Sequence, residues 1–489
     1  MKRSAGVLLP IFSLPSDYGI GTFGKEAYKF VDFLKRAKQS YWQILPLGQT
    51  SYGDSPYQAF SSFAGNPYFI DLDILVGEGL LKKSDLKNLN NSQYIDYGDI
   101  YNTRYPLLHK AYLNGVKKCA TEFNAFVKKE KWLGEYALFM ALKKHFNNVC
   151  WTEWPDEDAR LRKEEAIKKY KKLLKDDIEF YEFIQYLFYK QYEALKNYAN
   201  ESGIKIIGDI PIYVPLDSVE VWSEPLNFQL DDQCIPKRVA GVPPDYFNAD
   251  GQLWGNPLYD YDYQKENGYS WWINRIKGSG KYYDIIRIDH FRGFESYWSI
   301  PYGDATARNG VWVKGPDTDL LDVIKKKCKG IDFIAEDLGY HSKEVQDMLD
   351  SFAYPGMKVL IFAFDSKEPS DHQPHTYIEN CICYVGTHDN QTAIGYMDEY
   401  YGKDPYLNAV DYLKITEKEG FNWGLIRGGM ASKANVFICS LQDYLGLGSE
   451  ARINTPGTFG NNWKWRMEKG ALKPALADKI AKMTIKYQR

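Results

Sequence analysis

Short apolar runs that turn polar at their C-terminal ends recur along this chain, and no other feature restricts its fold as much. The sharpest is Tyr283-Asp-Ile-Ile-Arg-Ile-Asp-His-Phe-Arg-Gly293. Side chains on a strand alternate between faces, so Arg287 and Asp289 share one face while Ile286 and Ile288 share the other. Lys205-Ile-Ile-Gly-Asp-Ile-Pro-Ile-Tyr-Val214, Asp332-Phe-Ile-Ala-Glu-Asp-Leu-Gly339 and Cys383-Tyr-Val-Gly-Thr-His-Asp-Asn390 repeat the design. Tyr41-Trp-Gln-Ile-Leu-Pro-Leu47, Met357-Lys-Val-Leu-Ile-Phe-Ala-Phe364 and Ala434-Asn-Val-Phe-Ile-Cys-Ser-Leu441 read as further strands. Asn66-Pro-Tyr-Phe-Ile-Asp-Leu72 completes a count of eight. Helical or irregular stretches separate the runs. Such alternation predicts a parallel sheet, and eight strands predict an α/β fold closed as a (β/α)8 TIM barrel.

A barrel with insertions accounts for the length of 489 residues, so residues 1–489 read as one catalytic unit. From about 100 to 200 the pattern is helical, and no Gly/Ser/Pro linker flanks it, so it reads as a helical insertion subdomain. The charge run over 163–177 is a solvated helix face, with Glu164 and Lys168 one turn apart. Residues 222–269 are rich in Pro, Asn, Asp and Gly and read as a long active-site loop insertion, too aromatic for disorder. The stretch beyond Leu441 is too short for a C-terminal β-sandwich domain.

Bulk properties remove several classes. The net charge of -3 and pI near 6.2 give no reason to expect a nucleic-acid partner. No apolar run reaches the ~18 residues of a spanning helix, so no membrane role is expected. Pro10 and Pro15 interrupt the apolar N-terminus, which is read as mature protein and not as a signal peptide. Seven irregularly spaced cysteines read as free thiols in the cytoplasm. Gly19-Ile-Gly-Thr-Phe-Gly24 matches a dinucleotide fingerprint, but loop chemistry precedes it and no acid lies between Ala37 and Gly53. Its glycines are read as shaping a turn.

Strand-end carboxylates carry the chemistry. In a barrel, Asp209, Asp289, Glu336 and Asp389 would all open on one face. Clustered carboxylates repel and lose solvation, so a structural role gives no reason to gather them. Retaining glycoside chemistry does: one ionised carboxylate attacks and one protonated carboxyl acts as acid/base. Arg287 is expected to keep Asp289 ionised as nucleophile. Ala335 and Leu338 suggest a drier site for Glu336, the acid, and His388 is expected to be a neutral neighbour of Asp389. A two-metal phosphatase site would add converging histidines, and only His290 and His388 are near in sequence. His372 and His375 lie in a Pro-rich loop without metal spacing. No metal and no cofactor are expected. With 39 Tyr and 13 Trp, the chain also has aromatic area to stack sugar rings.

Arg-Ile-Asp-His-Phe-Arg-Gly, Ala-Glu-Asp-Leu-Gly and Gly-Thr-His-Asp-Asn, in that order, resemble the signature strands of the 4-α-glucanotransferases. These are the amylomaltases, in glycoside hydrolase family 77 of the α-amylase clan. The likeness extends to Ser13-Leu-Pro-Ser-Asp-Tyr-Gly-Ile-Gly21, Asp54-Ser-Pro-Tyr-Gln58, Gly208-Asp-Ile-Pro-Ile-Tyr213, the loop from Pro243 to Pro257, and Gly460-Asn-Asn-Trp-Lys-Trp-Arg466. The resemblance implies that Asp289 is the nucleophile, Glu336 the acid/base and Asp389 the transition-state stabiliser. It implies that Tyr57, Asp209, Arg287 and His388 hold the donor sugar. Trp254 and Asn256 would lie on a loop over the acceptor side. Ser55 and Asn462 fall in matched motifs and are carried as substrate-binding. His290 reads either as a ligand contact or as a satisfied core histidine, and Tyr52 as a glucan contact outside the cleft. The implied activity is transfer of an α-1,4-glucan segment from a maltooligosaccharide, amylose, starch or glycogen donor to a sugar 4-hydroxyl. The implied assembly is a monomer or weak homo-oligomer. An α-amylase-like hydrolase and a glucan-binding protein with a dead site are the rival readings.

Overall fold

Eight short strands lie side by side in sequence order and close on themselves. They are β1 (Ser4–Leu8), β2 (Tyr41–Gln43), β3 (Lys205–Ile210), β4 (Ile285–Ile288), β5 (Asp332–Ala335), β6 (Gly356–Val359), β7 (Cys381–Tyr384) and β8 (Val436–Ser440). Every pairing in the run from β6 through β8, β1 and on to β5 is parallel. Between β5 and β6, the Ala335 N–H donates to the Pro355 carbonyl at 3.0 Å and the Met357 N–H to Asp337 Oδ1 at 2.7 Å. The ring is a (β/α)8 TIM barrel, and the fold was computed as a structural model that describes residues 1–489 apart from 52, 88, 246–247, 340–341, 366–368 and 459. Strands β1, β2, β4, β7 and β8 are buried along their whole length, as parallel strands covered on both faces must be.

One of the eight expected strands is wrong and another was missed. Asn66-Pro-Tyr-Phe-Ile-Asp-Leu72 is not a strand: Pro67–Phe69 is a 3-10 turn and Leu72–Gly77 a helix. Two side-chain caps explain this. Asn66 accepts from the Tyr68 N–H at 3.0 Å and Asp71 from the Ile74 N–H at 3.0 Å, offering the backbone local partners in place of a ladder. The eighth strand is instead Ser4–Leu8, within the N-terminal apolar run that Pro10 ends, and it lies between β8 and β2 while β2 pairs directly with β3.

Between β2 and β3 the chain runs through helices Tyr97–Gly115, Ala120–Lys129, Leu133–His145, Glu157–Arg160, Glu164–Leu173 and Lys175–Glu201. The last of these pins the segment after β2. Gln185 bridges the N–H and carbonyl of Gly65, both at 2.8 Å. Gln191 does the same for Asp71, at 2.7 and 3.2 Å. Both amides are buried, so each bond forms without competition from water.

The stretch read as one long loop over 222–269 contains two strands, Arg238–Val242 and Gln252–Pro257. They join Ser296–Pro301 and Val311–Lys314 in a four-stranded antiparallel sheet. Past β8 the described residues hold helices and no strand. No helix among the described residues is long and apolar enough to cross a membrane.

Candidate active site

Three carboxylates that leave the C-terminal ends of different strands line one cleft: Asp289 directly after β4, Glu336 directly after β5, and Asp389 on the turn after β7. The cleft measures about 2610 Å³, well above the roughly 300–1,000 Å³ of ordinary small-molecule sites, so it suits a chain of sugars.

Glu336 is held by backbone. The His290 N–H donates to its Oε2 and the Leu338 N–H to its Oε1, both at 2.8 Å. His290 is left-handed (φ 50°, ψ 49°), a conformation that a non-glycine residue adopts at roughly 1–2 kcal/mol. That turn aims its N–H at the Glu336 carboxylate while the Phe291 N–H donates to the Glu336 carbonyl at 2.9 Å.

Arg287 and Tyr57 hold the floor together. Arg287 Nη1 donates to Asp209 Oδ2 at 2.6 Å and to Asp289 Oδ1 at 3.0 Å. Tyr57 donates its hydroxyl to Asp209 Oδ2 at 2.7 Å and lies 3.0 Å from His388 Nε2, with the two rings stacked at 5.3 Å. The side chain of Asp209 has no exposed surface, so it sits below the floor and reaches the cleft only through Arg287 and Tyr57.

Asp389 is gripped by a segment after β8. Asn454 Nδ2 donates to Asp389 Oδ1 at 2.6 Å, the Asn454 N–H to the His388 carbonyl at 3.1 Å, and Arg452 Nη2 to the Asp389 carbonyl at 2.7 Å. His388 Nε2 is 3.3 Å from the same Asp389 oxygen.

Electrostatics modify one expectation. Burial pushes the Asp289 carboxyl well above the usual carboxylate range; Arg287 pulls it back, and Asp209, Glu336 and Asp389 push it further up. Arg287 favours the ionised form of Asp289 but is shared, its Nη1 lying closer to Asp209 than to Asp289. Burial also raises Glu336, opposed by Arg287 and by the Leu338 and His290 N–H groups. Glu336 acts electrostatically on Asp289, so the two titrations are linked. Burial holds His388 below the ordinary imidazole value, so it is neutral near pH 7, and pushes His290 down to about 4.

The remaining expected residues surround this centre. Trp254 stands edge-on to the His290 ring at 4.9 Å. Asn256 is buried and accepts from Gln58 Nε2 at 3.4 Å. Ser55 Oγ accepts from the Tyr57 N–H at 3.3 Å. Asn462 ties a turn, accepting from the Thr455 N–H at 3.0 Å and donating to the Thr458 carbonyl at 3.0 Å. All four line the cleft. Tyr52 lies outside the described residues, as do Tyr246 and Phe247 of the loop motif. Sequence reasoning did not single out Arg452, Asn454 or Trp463. Trp463 packs 5.9 Å from both Tyr57 and His388, and its signal was available within Gly460-Asn-Asn-Trp-Lys-Trp-Arg466. No cluster of three or more His, Cys, Asp or Glu side chains placed to hold a metal ion occurs among the described residues.

The 4-alpha-glucanotransferase family model matches residues 9–473. The 4-alpha-glucanotransferase of Clostridium butyricum is 52% identical over 484 residues, covering 98% of this chain and 99% of the relative. That of Streptococcus pneumoniae is 46% identical over 506 residues, covering 100% and 98%. The amylomaltase of Streptococcus agalactiae, solved in complex with acarbose, superposes with a TM-score of 0.97 at 44% identity and covers 100% of both chains. With the matched model spanning nearly its whole length and two relatives about half identical to it end to end, this chain belongs to the 4-alpha-glucanotransferase family of enzymes.

Proposed function

We propose that the enzyme moves α-1,4-glucan segments by a retaining double displacement, with Asp289 as nucleophile and Glu336 as acid/base. Asp289 attacks the anomeric carbon while Glu336 gives its proton to the leaving glycosidic oxygen. A glycosyl-Asp289 ester results. The 4-hydroxyl of an acceptor glucose or glucan then attacks the anomeric carbon, Glu336 takes its proton back, and Asp289 leaves as carboxylate. Two inversions retain configuration. Asp389, fixed by Asn454, faces the positive charge that develops on the sugar. The reactive form is the one in which the proton shared by the pair resides on Glu336. Tyr57, Arg287 and His388 hold the donor sugar, Trp254 and Asn256 lie over the acceptor side, and Ser55, Asn462 and His290 contact substrate. Asp209 acts through Arg287 and Tyr57.

The observation that carries this reading is the convergence of Asp289, Glu336 and Asp389 on one cleft, with Glu336 anchored by two backbone N–H groups. The donors would be maltooligosaccharides, amylose, or glucans derived from starch or glycogen. Acarbose in the Streptococcus agalactiae amylomaltase supports a sugar-binding cleft. Seven free thiols support a reducing compartment, the cytoplasm. We read the chain as one catalytic barrel, monomeric or weakly self-associating, with 100–200 and 222–269 as insertions into it.

Incubation with maltotriose tests the function. Transfer gives longer oligomers plus glucose at constant reducing-end count, whereas a steady rise in reducing ends means hydrolysis. Asp289→Asn is expected to lose several orders of magnitude in kcat. Full activity in that variant would remove Asp289 as nucleophile.

A further inference from the structure

Trp312 is an exposed indole that borders the cleft. It lies on Val311–Lys314, the edge strand of the four-stranded sheet, and is 43% exposed. Directly across the ladder stands Trp298, edge-on at 5.3 Å, whose own indole N–H is anchored on the Ala307 carbonyl at 2.8 Å. The Arg292 guanidinium carbon lies 4.3 Å from the centre of the Trp312 ring. The indole is therefore fixed by two neighbours, and part of its surface lines the cleft.

Its direction from the reacting centre follows from the turn after β4. Within that turn Asp289, the proposed nucleophile, lines the cleft, His290 gives its N–H to Glu336 and meets Trp254, and Arg292 meets Trp312. Glu336 exchanges its proton with the oxygen of the leaving or incoming sugar, so the His290–Trp254 side is the acceptor side. Arg292, two residues further along that turn than His290, and the Trp312 ring it meets line the same cleft.

We propose that Trp312 is an outer acceptor-side platform, stacking on the apolar face of a glucose unit beyond the one whose 4-hydroxyl reacts. The proposal rests on the transfer reading above. A flat aromatic ring held in place before the ligand arrives adds contact area with little ordering cost. Such a platform favours oligosaccharide acceptors over free glucose, because only a longer acceptor reaches it.

The test measures acceptor KM for glucose and for maltotriose, with one fixed donor, in wild type, Trp312→Ala and Trp312→Phe. In Trp312→Ala the ratio of maltotriose KM to glucose KM should rise about tenfold. Trp312→Phe, which keeps a flat ring, should hold the ratio within about twofold of wild type. If Trp312→Ala does not fold, Trp312→Leu keeps apolar volume without the ring and carries the same comparison. Wild-type transfer with an unchanged ratio in the variants overturns the platform alone. An unchanged ratio with an altered sedimentation coefficient would assign the patch to contact between copies of this chain, and also overturns it. A wild type that transfers to no sugar removes the transfer reading and the platform with it.

Discussion

Glu336 and Asp389 are both held by hydrogen bonds, but from different sources, and the two should respond differently to mutation. Backbone N–H groups grip Glu336, so no single side-chain change releases it. Asp389 depends on the Asn454 amide at 2.6 Å. A hydrogen bond to a charged group contributes about 1.5–3 kcal/mol, so Asn454→Ala is expected to lower kcat about 10- to 100-fold while donor KM and the thermal midpoint change little. Parallel loss of kcat and thermal stability would instead mark Asn454 as a fold residue. The carboxyl pair also sets the pH profile. On the proposed roles the reaction needs one proton on the pair: it should fail at low pH when Asp289 is protonated and at high pH when Glu336 is ionised. Burial raises both groups, so the bell in kcat/KM should lie above the ~3.9–4.3 of free carboxylates on both limbs. A profile flat from pH 4 to 9 with chemistry limiting would contradict the assignment.

At the scale of elements, the small antiparallel sheet brings its first hairpin over the cleft. Pro243, Asp245, Asn248 and Gly251, from the connection between its first two strands, line the cleft wall. Shortening that connection should admit water to the proposed glycosyl intermediate and raise the hydrolysis-to-transfer ratio severalfold, read as reducing ends against chain-length products. An unchanged ratio would leave the preference for sugar acceptors to other parts of the cleft. This sheet also shows where sequence reading ran out. Gly241 is required there because a Cβ would lie 2.2 Å from the Gln252 carbonyl oxygen, and Gly251 has φ +66°. Such residues look like loop formers along the chain, and it is the pairing of Arg238–Val242 with both Gln252–Pro257 and Ser296–Pro301 that reveals strand. The strand-end acids were legible because alternation along a strand fixes them locally. Asn454 and Arg452 were not, since they lie on an irregular segment whose partner, Asp389, is 65 positions away from Asn454. The caps at Asn66 and Asp71 were readable signals, outweighed by the apolar run between them.

Across the whole molecule, buried acids tie segments around the cleft together and make stability depend on pH. Glu220 accepts from Ser61 Oγ at 3.0 Å and from the Ser62 N–H at 2.7 Å, and burial pushes its carboxyl up to about 7 from 4.5. Asp443 accepts from the Ala393 N–H at 2.7 Å, and burial pushes it up to about 6 from 3.8. Between those ordinary and raised values the folded chain binds more protons than the unfolded chain. Its stability is therefore greatest at the acid end of the window and declines as pH rises through about 6 to 7. The thermal midpoint should fall across that range, and Glu220→Gln, a permanent mimic of the protonated acid, should flatten part of the slope. An identical slope in the variant would mean that Glu220 does not titrate there.

The left-handed turn at His290 assigns two separate duties to one position. The amide anchors Glu336, the proposed acid/base, while the imidazole meets Trp254. Asparagine tolerates that backbone geometry better than most residues. Exchange for it would thus uncouple proton delivery from sugar recognition, letting selectivity drift while the chemical step stays in place.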